Sequence, residues 1–212
     1  MPQLFSYRVR HDTGAAPNPF WGICTVVICK PKIRLAVKQD DWIVGTGSAN
    51  SPLGDMSGKV IYAMKVTRKM TMQDYHVFTQ QFLRQKIPHW LDSDPRRRLG
   101  DSIYDFSCNP PKLLQSVHTE KNRKSDLGGE YALLSEHFWY FGDQAQPLPT
   151  DLLGIVKQGQ GHRSDSNAPF FDRFLKWLYG LKLAPNELYG RPQEKLFRED
   201  IPLTNIERVN CA

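Results

Sequence analysis

Two histidines in polar loops carry the residue types best suited to chemistry. His118 shares the stretch HTEKNRKSDLGG with Glu120 and Asp126, and His162 lies in GQGHRSDSN. An imidazole that titrates near neutrality, with a carboxylate to orient it, is the equipment of a general base. His118, Asp126 and His162 are therefore the candidate catalytic residues, with Asp101 as a further carboxylate. His-x-His, His-x-x-x-His and His-Glu-x-x-His spacings are all absent, so no metal site is expected. Ser135-Glu136-His137 contains triad residue types, but neighbours in a strand point to opposite faces. The four cysteines, Cys24, Cys29, Cys108 and Cys211, lack the Cys-x-x-Cys pairing of a zinc site and read as reduced thiols. Cys24 and Cys29 in particular read as buried structural thiols rather than nucleophiles. No Walker loop and no Gly-x-Gly-x-x-Gly occurs, so neither ATP nor a dinucleotide is indicated, and the cofactor stays unassigned.

A second set of residues suits a ligand. Asp12, Asn18, Lys30, Arg34, Thr46, Ser48 and Tyr62 are polar residues in or beside the segment that runs from Asn18 to Ser48. Asn and Thr offer donors and acceptors to a base edge, Trp42 or Tyr62 a stacking face, and Lys30 with Arg34 a phosphate contact. Trp42 suits a core position as well, and Lys30 and Arg34 a solvated surface. Arg96, Arg97, Arg98, Lys121, Arg123 and Lys124 are the candidates for holding a nucleic-acid backbone.

The elements that must position these groups are legible in outline. Leu4–Val9 alternates as a half-buried strand, and a Pro-stiffened loop, HDTGAAPNPF, follows it. Ile23–Cys29 reads as a strand buried on both faces, Ile33–Lys38 as a short basic helical turn. Trp42–Val44 starts a strand that ends in Gly45-Thr46-Gly47-Ser48, and Val60–Arg68 alternates again. Thr71 and Asp74 mark a helix start, with Tyr75, Phe78 and Phe82 at helical spacing. His118–Gly129 is read as a polar loop and Glu130–Phe141 as containing one strand. Ala168–Leu181 is a helix with Asn167 as its N-cap. The tail beyond Pro185 reads as polar and irregular.

A chain of 212 residues with 40% hydrophobic and 24% charged residues has the makings of a globular core. Its longest apolar run, Ile23–Cys29, is too short to span a bilayer, and no signal peptide is evident. A cytoplasmic protein without membrane contact is expected. The net charge of +6 and pI of about 9.1 suit a polyanionic partner.

The order strand, short helix, Asp-Asp-Trp strand, loop and alternating strand resembles the core of PUA-like domains (the PUA, ASCH, EVE and YTH group). The step QDDWIVG stands where those domains carry Gly-Asp, here with Asp40 in place of glycine. A likeness over most of the chain rests on YRVRHDTGAAPNPFWGICTVVICKPKIR, DDWIVGTGS, KVIYAMKVT, HTEKNRKSDLGG and SEHFWYFG. Together these resemble the second of the nucleotide-modification-associated domain families of bacteria and phages. The resemblance implies a role on nucleotides or nucleic acid, in base modification or anti-phage defence, with other proteins of such a system as partners. The expected architecture is α+β, a PUA-like small mixed β-barrel core over about residues 3–86 with helical elaborations over about 87–212, in a single domain. The expected function is recognition of a modified base or nucleotide. The alternative is an enzyme that alters or hydrolyses a nucleotide or DNA base through its loop His and Asp residues.

Overall fold

The computed structural model describes residues 1–194. The chain opens with strands β1 (Leu4–Arg8) and β2 (Cys24–Val26), helix α1 (Pro31–Ala36), and strands β3 (Trp42–Thr46), β4 (Lys59–Lys65) and β5 (Arg68–Thr71). Helices α2 (Met72–Phe82) and α3 (Pro95–Arg98) follow, then the two-residue strands β6 (Tyr104–Asp105) and β7 (Lys112–Leu113) and helix α4 (Arg123–Leu127). Strands β8 (Tyr131–Ser135), β9 (Phe138–Tyr140), β10 (Gln146–Pro147) and β11 (His162–Arg163) precede helix α5 (Phe171–Gly180) and strand β12 (Glu187–Leu188).

The larger sheet runs β11-β1-β3-β4-β9-β12, with β10 added on β4; a second sheet runs β2-β8-β5. β1 pairs with β3 in parallel, while β3, β4 and β9 pair antiparallel. Neither sheet closes on itself, so the mixed α/β character is as expected but a PUA-like barrel is not what the strands build. Residues 131–140 supply β8 to one sheet and β9 to the other, so both sheets draw strands from either side of residue 86. The turn between them is tied by Ser135, whose hydroxyl donates to the His137 carbonyl and accepts from the His137 N–H.

Apolar faces of the two sheets meet in a core that includes Phe5, Tyr7, Val26, Ile43, Ile61, Met64 and Phe138. On the other face of the large sheet, Trp42, Val44 and Trp139 pack against Phe174 and Leu178 of α5. β1 is thus covered on both sides rather than half-buried: Ser6 is buried and donates to the Ile155 carbonyl at 2.6 Å. Hiding each large apolar side chain stabilises the fold by about 1.5–3 kcal/mol. Among the described residues no helix is long and apolar enough to cross a membrane.

Several local readings change. Thr71 caps α2, accepting from the Asp74 N–H at 3.0 Å, as the spacing implies. The strand expected over Ile23–Cys29 ends at Val26, because Cys29 (φ 58°) and Lys30 (φ 44°) both adopt left-handed backbone. The basic turn begins earlier than expected, with Pro31 opening α1. His118–Gly129 holds a helical turn and α4 rather than an open loop. Asn167 does not cap α5, which starts at Phe171; its buried amide donates to Leu4 O and Ser6 Oγ, both at 2.9 Å. Beyond Pro185 the chain returns to the sheet as β12.

Candidate functional site

The end of β1 and the β2–α1 connection form one wall of a cavity of about 350 Å³. Arg8, Arg10, Lys30 and Lys32 line it together with Cys29 and His162, and among the described residues no Asp or Glu does. The local cause is simple. Alternate residues of an extended chain face one side, which directs Arg8 and Arg10 together, and the left-handed turn at Cys29-Lys30 redirects the chain into α1. β11 adds to the lining beside β1 through the register Tyr7↔His162, preceded by Gly159 and Gly161 at φ 72° and 87°. Glycine meets that backbone need without a Cβ clash.

Among the described residues that line the cavity, the charged ones are all basic. Lys30 lies with its Nζ 5.3 Å from the centre of the Tyr7 ring. Burial depresses the Lys30 pKa, and the charges of Arg10 and Arg8 push it the same way. Burial also lowers the His162 pKa, reinforced by Lys32 and Lys157. A bound anion would relieve every one of these repulsions.

Cys29 links the cavity to a buried polar cluster behind it. Its Sγ lies 3.5 Å from His118 Nε2, and His118 Nδ1 lies 2.6 Å from Asp126 Oδ2. Asp126 also accepts from the Cys29 N–H at 2.9 Å and the Tyr104 hydroxyl at 3.1 Å. Arg34, wholly buried, fastens the surrounding main chain. Its Nε donates to Cys29 O at 2.8 Å, and its terminal nitrogens donate to Tyr131 O at 3.0 Å and to Asp126 O. Burial brings the Arg34 pKa down to about 10. Cys29 is disulfide-bonded, whereas Cys24 and Cys108 carry free thiols, so the expectation of reduced cysteines is corrected at Cys29. Cys211 lies outside the described residues. The ligand atoms of Cys29, His118 and Asp126 lie within 4.8 Å of one another, a spacing open to a metal ion. The carboxylate, however, is already engaged by His118, Tyr104 and the Cys29 amide, and the sulfur by its disulfide.

A family model described as nucleotide modification associated domain 2 matches residues 1–199. The chain belongs to that family. Comparison with curated proteins and with solved structures gives no match.

Within this nucleotide modification associated domain, the residues expected to act together are partly gathered and partly dispersed. His118 and Asp126 form a direct pair, and His162 lines the same cavity as the turn that carries Cys29. Of the expected ligand contacts, Lys30 lines the cavity and Arg34 lies behind it. Asn18 belongs to a separate buried knot, accepting from Lys86 Nζ at 2.7 Å and donating to Leu99 O at 2.9 Å. Lys86 also donates to Thr25 Oγ1 at 2.9 Å, which donates to Asp101 Oδ2 at 2.5 Å. Burial lowers the Lys86 pKa to about 8 and raises that of Asp101.

The remaining candidates serve the core. Asp12 accepts from the Tyr140 hydroxyl at 2.6 Å, and burial lifts its pKa to about 7. Tyr62 shares a 2.8 Å hydrogen bond with Tyr7, Thr46 donates to Tyr7 O, and Ser48 accepts from the Asn50 N–H. Trp42 stacks on Trp139 at 6.2 Å and is 3% exposed, which leaves no ring face for a base. Among the basic runs, Arg96 is forked onto Asp94 and lies over Trp21, Arg97 donates to Arg84 O, and Arg98 donates to Asp92 O. Arg123 pairs with Glu120 and covers Tyr104, while Lys121 and Lys124 stay exposed. Arg8, Arg10 and Lys32 are not among the residues the sequence singles out for a site, and Cys29 reads there as a buried structural thiol. The Arg-x-Arg and Lys-x-Lys spacings were the available signal.

Proposed function

We propose that this domain holds a nucleotide by its phosphate groups in the basic cavity, as the recognition step of a bacterial or phage nucleotide-modification system. One observation carries the reading: four cationic side chains from two separate segments converge on a cavity that no carboxylate among the described residues lines. Such a set pays for itself electrostatically only when an anion neutralises it. The volume lies at the lower end of ligand pockets, enough for phosphates and a sugar. Gln160 and His162 at its edge offer hydrogen-bonding groups to whatever projects outward. Membership of the family supports the choice of a nucleotide over other anions.

Calorimetric titration of a nucleoside 5′-triphosphate against the same nucleoside without phosphate tests this. The triphosphate is expected to bind, with affinity that falls as salt rises, and the bare nucleoside is not. Lys30→Ala should weaken the triphosphate by about tenfold, or about 1.4 kcal/mol. Equal affinity for nucleoside and triphosphate, or a Lys30→Ala protein that binds as the parent does, would sink the reading.

The His118–Asp126 pair favours a second reading, in which the held nucleotide is altered or hydrolysed. Under it, turnover of a nucleotide is lost in His118→Ala while binding at the cavity persists.

A further inference from the structure

We propose that Cys29 is a nucleophile for the phosphate ester held in the cavity, released for action by a dithiol reductant, with His118 as its base and Asp126 as the positioning carboxylate. The proposal rests on the phosphate reading of the cavity. Sulfur, imidazole and carboxylate stand in sequence: Sγ to Nε2 at 3.5 Å, then Nδ1 to Oδ2 at 2.6 Å. That is the arrangement in which a base takes the thiol proton and the acid holds the base in the right tautomer. All three side chains are buried, yet Cys29 also lines the cavity beside Arg8 and Lys30.

The backbone is built for the purpose. Cys29 and Lys30 are consecutive non-glycine residues in left-handed conformation, at a turn between a strand and a helix. Non-glycine residues adopt that conformation at a cost, and neighbouring interactions must hold them there. Here Arg34 grips the Cys29 carbonyl and Asp126 the Cys29 amide, from opposite sides. A strained strand-to-helix turn is also how α/β-hydrolases raise a serine nucleophile to their sites. A structural disulfide beside a structural His–Asp pair would account for the burial. It does not by itself account for the place of Cys29 in the lining of a cationic cavity.

A dithiol gives two electrons and two protons to the Cys29 disulfide, becoming a disulfide itself and leaving Cys29 and the sulfur it was bonded to each as a thiol. The thiol proton passes to His118 Nε2. The thiolate forms an S–P bond, the P–O bond to the leaving group breaks, and that oxygen takes the proton from His118. Water, deprotonated by His118, then attacks phosphorus; the S–P bond breaks with its electron pair on sulfur, the phosphate is freed, and the proton on His118 returns to the Cys29 sulfur. Arg8, Arg10, Lys30 and Lys32 offset the repulsion between thiolate and phosphate oxygens.

Alkylation by iodoacetamide tests the proposal, with labelling at Cys29 and at the exposed Cys108 read separately by peptide mass spectrometry. In dithiothreitol-reduced protein at pH 7, Cys29 should react about tenfold faster than Cys108, with an inflection below the ordinary thiol pKa of about 8.5. Inorganic phosphate should slow Cys29 alone, unreduced protein should not label there, and His118→Asn should return the rate to that of Cys108. The pH profile of the parent keeps the test decisive if His118→Asn fails to fold. A Cys29 that reacts no faster than Cys108, with an ordinary inflection, overturns the nucleophile while leaving triphosphate binding intact. A fast Cys29 that phosphate does not protect overturns the placement of phosphate at the sulfur, and with it the reading of the cavity.

Discussion

The Cys29 amide donates to Asp126 Oδ1 at 2.9 Å across 97 residues of sequence. That bond places the cavity-lining turn and the carboxylate that orients His118 in one rigid unit. Arg34 completes it by holding the carbonyls of the same two residues.

Arg34→Lys should therefore destabilise the protein. Lysine carries a point charge in place of a planar fork and cannot reach Cys29, Tyr131 and Asp126 together. Leaving buried carbonyls without their donor costs about 3 kcal/mol, read as a fall in the urea midpoint. An unchanged midpoint would show that the clamp is dispensable.

Gly129→Ala tests the same unit from the other side. A Cβ at Gly129 would run into the Arg34 guanidinium, although the backbone there needs no left-handed turn. The clash should cost about 1–3 kcal/mol. Combined with Arg34→Lys the costs should sum to less than their separate values, because the clash has lost its partner. Strict additivity in a double-mutant cycle would contradict this.

Asp12 gives the pH dependence a sign. Its carboxyl titrates near neutrality in the fold, at about 7, because burial disfavours its charged form. In the unfolded chain it titrates near the ordinary value of about 3.9. A raised folded pKa means stability present below the unfolded value and lost as pH rises through the folded one. The stability of the parent minus that of Asp12→Asn should therefore fall between pH 4 and pH 7, by at most about 1.4 kcal/mol per pH unit. Urea melts at four pH values measure the slope, and a flat or rising difference refutes the assignment.

Trp42 separates core from ligand. Trp42→Phe removes the stack on Trp139 and part of the packing against α5, at about 1–3 kcal/mol. Because Trp42 does not line the cavity, the folded variant should bind the triphosphate within about twofold of the parent. A tenfold loss of affinity would put a base on this ring after all.

Phosphate binding should be coupled to protons. Lys30 and His162 both have pKa values lowered by burial and by neighbouring cations, so an anion in the cavity should raise them. Titrations in two buffers of different ionisation enthalpy should show net proton uptake, and Lys30→Ala should reduce it. Proton release on binding would exclude this electrostatic account.

Local order was largely legible in the residues themselves. Alternation marks β4, Thr71 with Asp74 marks the start of α2, and the apolar stripe of Phe174 and Leu178 marks α5, because these patterns have periods shorter than the elements. His118 and Asp126 could be named as candidates from one polar segment, but the choice of His118 or His162 with Asp126 or Asp101 stayed open until the fold joined His118 to Asp126. The family, too, is carried by the order of residues along the chain. What the tertiary structure alone decided is which distant segments meet. Cys29 reaches His118 across 89 residues, and Arg8 shares a cavity with Lys30 and His162. Asn18 and Trp42, polar and aromatic groups with good credentials as ligand contacts, were drawn instead into a buried knot and a core. Side-chain periodicity reports which face of an element a residue occupies. The register of β1 on β3 and β11, and the left-handed turn at Cys29, determine what that face is turned toward.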